Sequence, residues 1–253
     1  MNDLETSQLV ALAHEYGITL EDHQAELILT HLDLVIEKNK VLNLTRITDR
    51  SSAILLHCLD SLLIYPSFVA VGFGQKDNFL DIGTGAGFPG IPLVIVSGMQ
   101  GTLLDSVSKK VRAVDEFVAA LGLADKIQTS DQRAEELART QRNSFSFVTA
   151  RAVAELHVLI EYATPLLKHQ GSLIVSKAKP SDEEFSHAER AAELCGLKLV
   201  SRETFDLPDD AGHREIFTYQ KVRKAQVKLP RRPGMAKHNP IYEIAGQATS
   251  ARR

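Results

Sequence analysis

Between Asp81 and Gly90 the chain reads DIGTGAGFPG, an acid followed by glycines at 83, 85 and 87, and a second acid, Asp105, stands 22 residues beyond Gly83. Glycines at alternate positions give a backbone that turns tightly and lets a ligand come close. A carboxylate at the end of the following strand can accept both hydroxyls of a ribose, so the two features together fit a nucleoside-bearing ligand. Asp105 also fits a plainer role, the cap of a helix starting near Ser108. Gly83 and Gly85 are expected beside the ligand, and Gly87 is expected to let the next segment pack on the strand. The loop is no P-loop, because no Gly-Lys-Ser/Thr follows, and a dinucleotide fingerprint needs glycine where this chain has Phe88. Asp81, just ahead of the glycines, would repel a phosphate and attract an ammonium. Phe88 either packs on the ligand or fills the space between loop and helix.

A loop of this kind needs a strand to deliver it and a helix to leave from it. From Phe79 onward short apolar runs alternate with amphipathic segments: strands are expected at 79–82, 101–106, 126–130, 145–151 and 171–177. Helices are expected between them at 90–97, 108–121, 133–142, 154–168 and 182–195, with Gly122 and Gly196 as left-handed caps. Two final strands, LKLVSRETFDL and REIFTYQKV, are joined by PDDAGH, too short for a crossover helix, so they should pair antiparallel. The reading is an α/β fold, an open doubly wound sheet, over roughly 71–224. Residues 1–70 read as a helical cap: Thr19 and Asp22 have capping-box spacing ahead of a helix, and a second helix begins at Asp49 or Ser51 and stops at Pro66.

On that sheet Arg133 opens the helix after the third strand, Arg151 ends the fourth strand and Lys177 ends the fifth. The three cations fall on the ligand-binding rim, where they either hold phosphates or are ordinary surface charges. Lys109, Lys110 and Arg112 lie on the helix after Asp105. His57 and Asp60 share a helix face with Ser61, as a polar patch at the site's edge or as a hydrogen bond that orients the cap. Asn43 reads as a turn residue or a site residue.

The pattern acid-x-G-x-G-x-G, with an acid ending the next strand, resembles the first two motifs of class I S-adenosylmethionine-dependent methyltransferases. In order, NLT (43–45), HCLDS (57–61), DIGTGAGFPGIPL (81–93), LLDSVSKKVRAV (103–114), RAEE (133–136) and ARA (150–152) resemble the motifs of the glucose-inhibited division protein B family. That family comprises the 16S ribosomal RNA guanine-N7 methyltransferases, which modify a guanine in the 530 loop. The resemblance implies a Rossmann-like seven-stranded sheet with its last strand pair antiparallel and an N-terminal helical cap. It implies S-adenosylmethionine contacts at Gly83, Phe88, Asp105, Ala134, Glu135 and Arg151, in the loop shared with Asp81, Gly85 and Gly87. RNA-side roles fall to Arg133, Arg151 and Lys177, and the partner is 16S ribosomal RNA or the small ribosomal subunit. Guanine N7 carries a lone pair and no proton, so the chemistry needs alignment rather than a base. The chain accordingly lacks the Asn/Asp-Pro-Pro-aromatic and Pro-Cys motifs of amino-group and pyrimidine methylation. Three other readings compete: a methyltransferase acting on another RNA, a protein or a small molecule, a noncatalytic RNA-binding assembly factor, and a nicotinamide oxidoreductase, which Phe88 disfavours.

Composition sets the wider bounds. With 44% hydrophobic and 24% charged residues the chain reads as an ordinary globular protein with no expected membrane span. The acidic start MNDLETSQLVALAHEYG lacks the features of a signal peptide, which predicts a cytoplasmic setting. Cys58 and Cys195 have no metal spacing and are expected as buried thiols. Residues 1–220 hold 20 Lys and Arg against 31 Asp and Glu, whereas 221–253 hold nine against one. The basic end, from 225, is expected to be flexible, and it either attracts a polyanion or is merely solvated. Nothing in the sequence sets an oligomeric state.

Overall fold

The computed structural model describes residues 3–74 and 76–244. The cap begins with α1 (Asp3–Glu15) and α2 (Asp22–Asn39), whose residues Ala25, Ile28, Leu29, Leu32 and Val35 are buried at helical spacing. The N-terminal box of α2 is formed two residues along from the expected Thr19 and Asp22: the Glu21 N–H donates to Gln24 Oε1 at 3.0 Å. Gln24 is drawn there because its amide also donates to the Ile95 carbonyl across the interface, at 3.1 Å. Next come α3 (Arg50–Ala53), capped by Asp49 at the Ser52 N–H, a π-helical turn (Ile54–Leu59), α4 (Asp60–Leu62) and α5 (Tyr65–Val71). Pro66 does not stop this run but sits in the first turn of α5, where a missing N–H leaves no helical bond unmade. The run Arg50–Val71 is apolar and long enough to cross a membrane by composition, yet Ile54, Cys58, Leu59 and Leu62 are core residues of the fold.

The sheet contains β1 (Asn78–Ile82), β2 (Gln100–Leu104), β3 (Ile127–Ser130), β4 (Phe145–Arg151), β5 (Leu167–Lys177), β6 (Leu197–Leu207) and β7 (Gly212–Lys221) in the order β3-β2-β1-β4-β5-β7-β6. The first five strands are parallel; β7 runs antiparallel to β6, as the short PDDAGH connection requires, and antiparallel to β5 as well. Between the strands lie α6 (Gly90–Ser97), α7 (Ser108–Ala120), α8 (Ala134–Thr140), α9 (Leu156–Ala163) and α10 (Asp182–Cys195). Gly122 and Gly196 both have positive φ at helix ends. The helix expected over 154–168 closes early because its last residues belong to an extended β5. Side-chain alternation divides the interior into two cores. Phe79, Leu103, Phe147 and Ile174 face the cap with α6 and α7, while Leu80, Leu104, Val148 and Val175 face α8, α9 and α10.

The basic end differs from expectation. Leu229 and Ile241 are buried in the second core, and Arg231 clasps the buried Glu161 through two nitrogens, Nε to Oε1 at 2.7 Å. Arg142 donates to the Leu229 carbonyl at 2.7 Å, and Tyr242 stacks on His187. Residues 225–244, with the short α11 (Met235–His238), are therefore packed rather than free. Apolar anchors at 229, 236 and 241, spaced among the cations, offset the ordering entropy that a charge count alone assigns to this segment. The remainder of the tail, 245–253, lies outside the described residues.

Candidate active site at the carboxyl ends of the strands

A cavity of about 850 Å³ opens where β1, β2, β4 and β5 end, with Ile82, Leu104, Arg151 and Lys177 in its wall. Gly83 and Gly85 line it with φ of 72° and 60°, a region that disfavours other residues. A Cβ on Gly83 would lie 2.5 Å from Val153 Cγ2, so the bare backbone there is a packing requirement as well. The loop is tied to β2: the Gly83 and Thr84 N–H groups both donate to the Leu104 carbonyl, and Gly85 N–H donates to Asp105 Oδ2 at 3.1 Å. Asp105 Oδ1 accepts from Val107 N–H at 2.9 Å, a turn just ahead of α7 rather than the helix cap expected of it, while its carboxylate still faces the cavity.

Two expectations about this loop change. Asp81 does not line the cavity. It is fully buried beneath the loop, accepting from the Gly90 N–H at 3.0 Å and the Thr149 hydroxyl at 3.2 Å, and burial raises its carboxyl to about 6. Its work is to hold the loop, and any attraction it exerts on an ammonium acts through that loop. Gly87, also outside the cavity wall, does not serve the strand. Its missing Cβ makes room for the cap, since a methyl there would meet Ile91 Cδ1 at 2.7 Å and His31 Nε2 at 3.0 Å. Helix-on-strand packing rests on Gly90, where a Cβ would fall 2.2 Å from Leu103 Cδ2.

Phe88 is held between two histidines, His31 at a centroid distance of 4.3 Å and His57 stacked at 4.9 Å. His31, which sequence reasoning missed, donates from Nε2 to the Ala86 carbonyl at 2.8 Å, linking α2 to the glycine loop. Burial lowers its pKa to about 3; burial and then the Arg151 charge lower His57 to about 4. His57 Nε2 also meets Thr45 Oγ1 at 2.8 Å. The loop carrying Thr45 is shaped by Asn39, whose Oδ1 accepts from the Leu44 and Thr45 N–H groups; Asn43 is exposed and stands outside the cavity wall.

Arg151 reaches the cavity but is not free: its guanidinium donates to Asp60 Oδ2 and to the Leu56 carbonyl, both at 2.9 Å. Asp60 Oδ1 accepts from Arg214 Nε at 2.9 Å, so one buried carboxylate aligns two arginines, the second of them unforeseen. Lys177 is likewise paired, with Glu184 at 2.8 Å and the Ala154 carbonyl at 3.1 Å. Arg133 caps α8 and is exposed at the mouth. Ala134 and Glu135 lie behind it in the wall, and Glu135 Oε1 accepts from the Gly234 N–H of the tail at 2.9 Å. The expected cofactor and RNA-side residues other than Asp81 and Gly87 therefore share one cavity, as do His57, Asp60 and Lys110, whereas Asn43, Ser61, Lys109 and Arg112 lie outside its wall.

Solved structures with this architecture include geranyl diphosphate methyltransferase in complex with SAM (TM-score 0.51, 12% identity, 71% of this chain and 94% of that one). They also include the [4+2]-cyclase SpnF (TM-score 0.52, 15% identity, 64% and 80%). These likenesses show the fold alone, and a methyltransferase and a cyclase sharing it illustrates why fold does not fix chemistry. Sequence comparison is more specific. The ribosomal RNA small subunit methyltransferases G of Staphylococcus haemolyticus (38% identity, 90% of this chain and 95% of the relative) and Geobacillus kaustophilus (36%, 94% and 100%) match nearly end to end. Residues 24–212, from the cap helix that meets the glycine loop to the last strand pair, match the family model described as rRNA small subunit methyltransferase G. With the glycine cradle, the Asp105 wall and the cap that holds both falling inside that span, the chain belongs to the rRNA small subunit methyltransferase G family.

Proposed function

We propose that this protein methylates N7 of a guanine in the 530 loop of 16S ribosomal RNA, using S-adenosylmethionine. The observation that carries the reading is one cavity in which the Gly83–Gly85 backbone, the Asp105 carboxylate and a cationic mouth converge. These residues fit the cofactor: Asp105 faces the cavity as an acceptor for ribose hydroxyls, the glycine backbone leaves room for the methionine portion, and Ala134 with Glu135 forms the wall for the adenine side. When bound, the cofactor supplies an electrophilic methyl group on a sulfonium. The chain's own residues then have to orient the base and keep water out. Guanine N7 presents a lone pair without a proton, so no side chain has to remove one; His57, the histidine in the cavity wall, is a weak proton acceptor, because burial and the Arg151 charge lower its pKa to about 4. Arg151, aligned by Asp60 and 5.9 Å from the Phe88 ring centre, is the group best placed to donate to a purine acceptor such as O6.

The test is transfer of radiolabelled methyl from the cofactor to small subunits lacking the modification, followed by mapping of the labelled base. Label at N7 of a single 530-loop guanine is the expected result. Label on another nucleotide would overturn the target, and no label despite bound cofactor would favour a noncatalytic RNA-binding factor.

A further inference from the structure

Charge in the cavity is sorted by depth. Seven Lys and Arg side chains line it, and the inner three are each paired with a carboxylate, Arg151 and Arg214 sharing Asp60 and Lys177 meeting Glu184. The other four, Lys110, Arg133, Lys179 and Lys237, have no carboxylate within 4.0 Å among the described residues, and all but the half-buried Lys110 are exposed. Asp105 and Glu135, the remaining wall carboxylates, accept from backbone N–H groups. Dry cations must pair, whereas hydrated cations at a mouth can exchange small counterions for a polyanion.

The four come from separate elements: α7, the start of α8, the turn after β5, and the tail. Lys237 is the informative one. Its helix α11 is pinned upstream by Arg231 on Glu161 and by the Gly234 N–H on Glu135, and downstream by the buried Ile241. The backbone is thus fixed beside the cavity while a four-carbon stem swings the ammonium over the mouth. A compact charge on a movable stem suits a phosphodiester, which presents charge without demanding a planar fork.

We propose that Lys110, Arg133, Lys179 and the tail-borne Lys237 form a phosphate rail that grips the backbone of the RNA strand whose base enters the cavity. The inference rests on the proposed RNA substrate and adds the tail as a built wall of its binding site. It also divides labour: paired cations inside shape the base pocket, unpaired ones outside supply affinity.

The experiment measures binding of a 530-loop RNA fragment to full-length protein as a function of salt. Each single-strand phosphate contact contributes about 0.7 to the slope of log affinity against log salt. Lys237→Ala and Lys179→Ala should each flatten the slope by about 0.7, the double variant by about twice that, and Lys237→Arg should restore it. Lys126→Ala, at the amino end of β3, should leave the slope unchanged. Melting temperature and S-adenosylmethionine affinity serve as folding controls, and both should match the wild type because the substituted side chains are exposed. A wild-type slope in Lys237→Ala and in the double variant would overturn the rail. Failure of the wild type to methylate rRNA would instead overturn the proposed function, whatever the slopes show.

Discussion

At the scale of single residues, His31 and His57 flank Phe88 and burial fixes the charge of both. Each has a folded pKa, about 3 and about 4, below the ordinary histidine value of 6.5. The unfolded chain therefore binds protons that the folded one refuses. The stability these groups support is complete above about 6.5 and drains as pH falls toward their folded values. By pH 5 that amounts to roughly 2 kcal/mol per histidine. Asp81 works the other way: its carboxyl, raised by burial to about 6, is stabilising when protonated, so its contribution grows as pH falls from 6 to 4. Urea titrations at pH 7.5 and 5.0 should show His57→Gln losing about 2 kcal/mol less than wild type over that interval, and Asp81→Asn losing more. Identical losses in wild type and His57→Gln would mean that His57 is not held neutral by the fold.

At the scale of elements, the joint between α6 and the sheet depends on one absent atom. Adding it in Gly90→Ala drives a methyl into the buried Leu103 and against Asp81 Oδ2, 2.9 Å away. Overpacking of this kind costs about 1–3 kcal/mol, and here it also disturbs the Gly90–Asp81 bond that holds the loop. Denaturation should register the cost, and calorimetry should show weaker S-adenosylmethionine binding. In the tail, Ile241→Ala should cost about 2–5 kcal/mol if residues 225–244 unfold with the body; a solvated tail would register almost nothing. These joints also mark what the sequence could reveal. The helices 90–97 and 182–195 and the strands 145–151 and 197–207 coincide with the expected ranges, because their periodicity, and for the second helix its Gly196 cap, are local signals. Asp105 was legible for the same reason, from its distance to Gly83. Asp60, Arg151 and Arg214 meet across 91 and 154 residues, and no spacing rule reaches that far. Gly87 and Gly90 looked alike in sequence because what distinguishes them is the neighbour each one faces.

At the scale of the whole molecule, the cavity collects residues from every layer. Thr45 and His57 come from the cap, the glycine loop and Asp105 from the sheet, and Lys237 from the tail, while the two cores share the strands between them. A ligand bound there contacts parts of both cores, so its binding energy should stabilise the body as one unit. With S-adenosylmethionine at 100 times its dissociation constant, linkage gives about 2.7 kcal/mol. For a chain of this size each kcal/mol moves the melting temperature by about 2–4 °C, so a rise of roughly 5–10 °C is expected, in a single transition. NADH should produce none, since Phe88 stands where a dinucleotide loop needs glycine. Deleting residues from Ala225 should lower the melting temperature and shrink the ligand-induced rise, because Glu135 loses the Gly234 N–H and the wall it supports. Scanning calorimetry of the two proteins with and without ligand separates the outcomes. An undiminished rise in the truncated protein would confine the tail to RNA binding, whereas a smaller rise would make it part of the cofactor site as well.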